Sequence, residues 1–127
     1  MPDDFDVPDG WDLSDEVRAY LDTIEPKQQP TFHRIMRLVF EVRPDASAVI
    51  SYQMPTFVSG QQRLYVGAWK NWVSLYGWSE GQDGGFLLRH PELSNGKGTL
   101  QLKPAVAEKI SDEELRSLVE AALTPQD

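Results

Sequence analysis

Carboxylates are concentrated at one end of this 127-residue chain, where their density is suited to binding cations. Residues 1–25 carry nine acids and one base, which gives −8, whereas residues 26–127 carry eleven acids and eleven bases and are neutral. Carboxylate oxygens bind cations such as Fe²⁺, so a weak, labile iron site is one hypothesis. A solvated acidic face is the alternative. The candidate metal ligands are Asp15, Glu16, Asp22 and Glu25.

A second group of residues could line a pocket for a small ligand. The stretch ISYQMPTF at 50–57 contains Tyr52 and Met54, and Lys70 and Tyr76 follow in later segments. If these side chains share one face, a lysine, two phenols and a thioether line an apolar pocket with few polar anchors. Core packing of Met and Tyr is the alternative. The candidate pocket residues are Tyr52, Met54, Pro55, Lys70, Tyr76, Lys97 and Thr99.

Motifs that resemble catalytic sequences lack the context that their chemistry needs. Residues 77–81 read G-x-S-x-G, but further glycines follow where a nucleophile elbow requires a helix. Residues 96–99 read GKGT, yet Pro91 occupies the position of the first P-loop glycine. His33 and His90 do not have the spacing of a zinc site. We therefore expect a protein that is not an enzyme and requires no cofactor.

Composition favours an intracellular globular protein. The chain has no cysteine, its first residues are acidic rather than basic and apolar, and no apolar run approaches the roughly 18 residues of a membrane span. We expect a cytoplasmic protein with no membrane association. The acidic end repels phosphate backbones, so we expect no nucleic-acid partner and favour a basic protein partner instead.

Hydrophobic periodicity predicts three main helices. Ser14 is a good N-cap for a helix over 15–24, in which apolar residues recur at helical spacing. Pro30 suits the first turn of a second helix that reaches about Val42. The sequence SDEE from residue 111 is a capping box and predicts the start of the final helix.

The period changes to two after the second helix, which predicts strands. Lys70-Asn71 is short enough for a two-residue hairpin in which Asn71 tolerates positive φ. The predicted strands cover residues 48–54, 63–69, 72–78 and 98–102.

The order of these elements predicts an α+β domain. N-terminal helices and a C-terminal helix should pack as one layer on one antiparallel sheet of 4–5 strands. Residues 1–12, which contain two prolines and no apolar period, are expected to form a flexible acidic arm. Residues 13–124 are expected to form a single domain.

Several short motifs resemble those of a known bacterial family. ISYQMPTF at 50–57, Tyr65 with Lys70 five residues later, Leu75-Tyr76 and the strand GKGTLQL at 96–102 follow one another in the family's order. In these motifs the chain resembles the family called domain of unknown function 1801, or YdhG-like. The likeness spans roughly residues 14–123, and the segment between Tyr76 and Lys97 departs from the family pattern.

The resemblance implies a frataxin-like fold and a non-enzymatic role as an iron chaperone. Such a protein would deliver Fe²⁺ as labile cargo to a basic partner in iron–sulfur cluster or haem assembly. The residues themselves support a second hypothesis, a small-ligand-binding module that uses a pocket beside the ISYQMP motif. The acidic candidate ligands belong to the first hypothesis, and the candidate pocket residues belong to the second.

Overall fold

The computed structural model describes residues 11–76, 86–93 and 100–124. These residues form an α+β structure with a six-stranded mixed sheet. The strands are β1 (Asp12–Leu13), β2 (Ser47–Ser51), β3 (Met54–Ser59), β4 (Gln62–Ala68), β5 (Val73–Tyr76) and β6 (Leu100–Leu102). The helices are α1 (Asp15–Leu21), α2 (Gln29–Val42), α3 (Phe86–Arg89), α4 (Pro104–Ala107) and α5 (Asp112–Leu123), with a 3₁₀ turn at Pro91–Leu93.

The strands lie side by side in chain order, and the sheet is mixed because β1 pairs in parallel with β2. The four other pairings are antiparallel. The prediction of a purely antiparallel sheet of 4–5 strands is therefore wrong in two respects: the described sheet has six strands, and β1 is parallel to its neighbour. A strand of two residues shows no period-two pattern, so its pairing with a segment more than 30 residues later leaves no local signal.

The predicted acidic arm ends earlier than residue 12. Asp12 pairs with Ser47, and Trp11 stacks on Phe40 of α2 with ring centroids 5.0 Å apart. These contacts place the last two residues of the predicted arm on the folded domain. Residues 1–10 lie outside the described residues.

The stretch 50–57 folds as a hairpin rather than as one strand. The chain reverses at Tyr52 and Gln53, whose φ angles are 52° and 65°, and Ser51 pairs with Met54 across this turn. Positive φ at both central residues is the requirement of a type I′ turn. The predicted strand over 48–54 thus ends at Ser51, and Met54 belongs to the next strand. The prediction that Asn71 adopts positive φ is also wrong. Among the described non-glycine residues, positive φ is found at Tyr52 and Gln53.

Pro55 lies within β3 and ends the ladder between β3 and β4. It is opposite Ile50 of β2, whereas β3 pairs with β4 only as far as Thr56 with Tyr65. Bonded and non-bonded pairs alternate in an antiparallel ladder, so the next bonded pair requires the N–H that Pro55 lacks. Ladder bonding therefore stops at Pro55 on one side of the strand and continues on the other.

The first two helices form close to their predicted positions. Ser14 caps α1 as predicted, because its Oγ accepts a hydrogen bond from the Val17 N–H at 3.2 Å. The helix ends at Leu21 rather than at residue 24. Helix α2 ends at Val42 as predicted, with a proline in its first turn.

The core lies between the helices and one face of the sheet. Phe40 of α2 meets Phe57 of β3 edge to face at 6.1 Å, and α5 contacts both α2 and β4. Large side chains from α2, β3, β4, β5, β6 and α5 are fully buried there. They include Phe32, Ile35, Met36, Leu38, Phe57, Leu64, Leu75, Leu100, Leu102, Leu115 and Leu118.

Polar contacts join α2 to the segment that leads into α5. Arg34 donates from Nε to Asp112 at 2.5 Å, and its other nitrogens donate to the carbonyls of Ala107 and Ile110. Ser111 caps α5 by accepting from the Glu114 N–H at 3.1 Å. This bond confirms one half of the predicted capping box.

The carboxylate of Glu114 is directed to α3 and the residue that follows it. It accepts a hydrogen bond from Arg89 Nε at 3.1 Å and lies 3.0 Å from His90 Nε2. The hydrogen bond from His90, more than that from Arg89, holds the pKa of Glu114 below its ordinary value. The second half of the predicted capping box is therefore replaced by contacts between α5 and α3.

Candidate functional site

Side chains along the strands alternate between two faces of the sheet. Phe57, Leu64 and Leu75 point to the face that packs against the helices. The opposite face, here called the outer face, carries the residues at the alternate positions of β3, β4 and β5. It includes Met54, Thr56, Tyr65, Gly67, Ser74 and Tyr76.

A cavity of about 390 Å³ opens on the outer face and is lined by Tyr52, Met54, Tyr65 and Tyr76. Tyr65 and Tyr76 are directly opposite each other on β4 and β5. The rings of Tyr52 and Tyr65 have centroids 5.8 Å apart and planes tilted by 58°. Three phenol rings and one thioether thus converge on a single space, which we call the tyrosine pocket.

Gly67 is a buried residue of β4 that lies close to Met54 of the tyrosine pocket. A Cβ at this position would lie 3.5 Å from Met54 Sδ and 3.2 Å from Trp69 Nε1. The absence of a side chain therefore lets Met54 and the Trp69 indole lie close against the backbone of β4. This packing fixes one wall of the tyrosine pocket.

The turn at Tyr52 and Gln53 places an aromatic ring at the rim of the tyrosine pocket. The side chain of Tyr52 is largely exposed, at 80% of its maximal accessible area, so it does not fill the core. Left-handed backbone is unfavourable for residues with a Cβ, and type I′ turns strongly prefer Asn-Gly. The hairpin thus holds Tyr52 over the pocket at a cost in backbone strain.

The structure brings together some of the predicted pocket residues and separates others. Tyr52, Met54 and Tyr76 share the tyrosine pocket, as predicted. Pro55 points to the opposite face, because consecutive side chains of β3 alternate between the faces and Met54 faces the tyrosine pocket. Lys97 and Thr99 lie outside the described residues. The sequence interpretation missed Tyr65, which also lines the cavity.

Lys70 lies in a different place from the tyrosine pocket. It lines a second cavity of about 270 Å³ together with Tyr20, Glu25 and Trp69. Its backbone carbonyl accepts a hydrogen bond from Nε2 of the buried Gln28 at 3.2 Å. The predicted combination of Lys70 with Tyr52 in one pocket is therefore not observed.

Tyr20 ties α1 to the end of β4 at this second cavity. Its hydroxyl accepts from the Ala68 N–H at 2.9 Å and donates to the Ala68 carbonyl at 3.4 Å. Burial raises the pKa of the Tyr20 hydroxyl, although the backbone hydrogen bond opposes this. Tyr20 therefore stays protonated at neutral pH and serves as a structural link.

The four predicted metal ligands are exposed and distributed along α1 and the turn that follows. Asp15 and Glu16 lie in the first turn of the helix, Asp22 follows its last residue, and Glu25 lies near Lys70. A seven-residue helix separates the two ends by about 10 Å. Within residues 11–76, 86–93 and 100–124, no group of three or more His, Cys, Asp or Glu side chains could hold a metal ion.

The motifs considered for catalysis lie mostly outside the described residues. This applies to the G-x-S-x-G sequence at 77–81 and to GKGT at 96–99. The two histidines have different neighbours. The ring centroid of His33 lies 5.7 Å from that of Trp11, whereas His90 contacts Phe86 and Glu114. In the described part of the chain, the histidines thus make packing and hydrogen-bond contacts.

No protein-family model, curated protein or solved structure was found to match the chain. The resemblance to the YdhG-like family therefore stays a prediction based on the quoted motifs. None of the helices in the described ranges has the length and apolar character needed to cross a membrane.

Proposed function

We propose that this chain is a non-catalytic small-ligand-binding protein and that the tyrosine pocket is its binding site. The observation that carries the proposal is the convergence of Tyr52, Met54, Tyr65 and Tyr76 on a cavity of about 390 Å³. This volume lies within the roughly 300–1,000 Å³ of ligand-binding cavities. Apolar walls with a few hydroxyl groups are also typical of such sites.

Two features argue against core packing as the purpose of these residues. Tyr52 is exposed, and its position depends on a turn with unfavourable φ angles at two consecutive residues. Strain of this kind is found where the surrounding structure holds a functional group in place. The half-buried Met54, Tyr65 and Tyr76 can contribute apolar contact area to a ligand without a rearrangement of the helices.

The proposal is tested by a screen of small aromatic and alkyl fragments with ligand-observed NMR. The variant Tyr65→Ala removes the central wall, and Val49→Ala changes an exposed β2 side chain that does not line the cavity. Fragments that bind the natural chain at about 1–10 mM should bind Tyr65→Ala about tenfold more weakly, because a large aromatic contact is lost. They should bind Val49→Ala unchanged.

Far-ultraviolet circular dichroism of each variant controls for loss of the fold. Two results contradict the proposed function. One is a fragment screen without any saturable binder, and the other is an equal loss of binding in both folded variants. A loss confined to Tyr65→Ala supports the site.

Iron delivery by a frataxin-like protein is the second proposal. It is supported by the surplus of eight negative charges in residues 1–25 and by helices packed on one face of a sheet. The proposal predicts that anaerobic Fe²⁺ titration at millimolar metal broadens amide signals of Asp15, Glu16, Asp22 and Glu25. Unaffected signals at these four residues rule out the proposed ligands, and Zn²⁺ in parallel tests whether any response is specific to iron.

A further inference from the structure

The tyrosine pocket has walls whose chemistry favours a positive charge. The π faces of phenol rings are electron-rich and attract cations, and three of the four described lining residues are tyrosines. The fourth, Met54, offers a polarizable thioether, which suits contact with methyl groups. Among the described residues that line the cavity, none is charged.

The arrangement of the rings also suits a compact, roughly spherical group better than a flat one. Tyr52 and Tyr65 are tilted by 58°, so their faces form an angle rather than a parallel slot. Tyr76 is opposite Tyr65 on the neighbouring strand and adds a further ring beside it. A trimethylammonium group presents methyl surface in several directions and can contact several faces at once.

The charges around the tyrosine pocket are compatible with such a ligand. Arg63 is on the same face of β4 as Tyr65, but it is two residues away, about 7 Å along the strand, and does not line the cavity. The net charge of −8 lies in residues 1–25, whereas residues 46–76, which include the four described lining residues, contain Arg63 and Lys70 and no acid. The attraction for a cation is therefore assigned to the ring faces alone.

We infer that the tyrosine pocket is an aromatic cage for quaternary ammonium groups. This inference rests on the proposed ligand-binding function and specifies the chemical class of the ligand. Tyr52, Tyr65 and Tyr76 supply cation–π contacts, and Met54 supplies apolar contact to the methyl groups. A free trimethylammonium compound and a trimethyllysine side chain share this chemistry.

The decisive test compares choline with its uncharged isostere 3,3-dimethylbutan-1-ol by NMR titration of the full chain. The two probes have the same shape and differ in the charge of the central atom. The aromatic cage should bind choline about three- to thirtyfold more tightly, the range of cation–π contributions from exposed to desolvated sites. Equal binding, or tighter binding of the uncharged isostere, overturns the inference.

Variants of Tyr52 locate the effect without disturbing the core, since this side chain is exposed. Tyr52→Phe keeps the ring face and should retain choline binding within about twofold, whereas Tyr52→Leu should reduce it several-fold. A Leu variant that binds choline as well as the Phe variant overturns the role of the ring. The free and peptide sources are separated by a trimethyllysine peptide and its unmethylated counterpart, and preference for the methylated peptide over choline indicates the peptide.

The proposed ligand-binding function and the aromatic cage fail in different ways. If the fragment screen finds ligands that depend on Tyr65 while choline does not exceed its isostere, the tyrosine pocket is a ligand site but the aromatic cage is wrong. If no fragment and no choline binds, both proposals are wrong.

Discussion

Tyr52 and Gln53 show how a local conformation with an energetic cost can create a surface feature. A ring that is 80% exposed gains little from burial, and both residues occupy the left-handed region. An Asn-Gly pair would form the same turn with less strain. The tyrosine is therefore better explained by its place at the rim of the tyrosine pocket than by the stability of the hairpin.

The variant Gln53→Gly tests the strain directly. Glycine adopts φ near 65° without the steric cost of a Cβ, and this relief stabilises the folded chain. The relief is larger than the destabilisation that comes from the greater backbone entropy of glycine in the unfolded chain. We expect the free energy of unfolding in urea to rise by about 0.5–1 kcal/mol. Gln61→Gly is the control, because Gln61 is an exposed turn residue without positive φ, and it should be neutral or destabilising. A Gln53→Gly variant less stable than the natural chain contradicts the strained turn.

At the residue scale, the sequence identified Tyr52, Met54 and Tyr76 but misplaced Pro55. Strand alternation places Pro55 on the face opposite Met54 with or without a turn. The turn itself was not predicted, because Tyr-Gln lacks the residues that adopt positive φ easily. The position of Tyr65 could have been predicted from the hairpin at residues 70 and 71. A two-residue turn there places Tyr65 opposite Tyr76, which is the pairing observed in the sheet.

At the element scale, the junction of α2 with α5 depends on charged hydrogen bonds around Asp112. Arg34 Nε donates to it at 2.5 Å and Arg37 Nη2 at 3.1 Å. The hydrogen bond from Arg34, followed by that from Arg37, holds the pKa of Asp112 below its ordinary value. Because the pair is partly exposed, its contribution to stability is modest.

The pH dependence of this junction has a definite sign. The pKa of Asp112 is lower in the folded than in the unfolded chain, so its stabilisation is complete above the unfolded pKa, about 4. It is lost as the pH falls through the folded value. In urea unfolding, Asp112→Asn should be less stable than the natural chain by about 0.5–1 kcal/mol at pH 7. This difference should shrink below about pH 4. A difference that stays constant down to pH 2 contradicts the role of the Asp112 charge.

The elements predicted best are those with a clear hydrophobic period. Helices α1 and α2 and the strands β4 and β5 form close to their predicted bounds because helical or alternating spacing specifies them locally, and Ser14 also caps α1. Strand β1 was not predicted, because two residues contain no period. Its formation depends on the edge that β2 presents, a tertiary effect that propensity does not encode.

At the scale of the whole molecule, the described fold separates two kinds of surface. The helices cover one face of the sheet, while the outer face carries the tyrosine pocket. The four described candidate metal ligands are exposed along α1 and its following turn, without forming a metal-binding group among the described residues. The order of helices and strands predicted the α+β class. The site could not be derived fully, because it depends on cross-strand pairing and on one turn.

The central claim, that the tyrosine pocket binds a ligand, is tested most directly through its methionine. With [¹³C]methyl-methionine, the Met54 methyl reports on the cavity, whereas the fully buried Met36 of α2 is an internal control. The probe is phenyltrimethylammonium, which carries both an aromatic ring and a quaternary ammonium group. We predict a saturable shift of the Met54 methyl signal and an unmoved Met36 signal. Equal shifts of both methyl signals would contradict the claim. So would the absence of any Met54 shift with this probe, and with every fragment of the screen, up to about 50 mM.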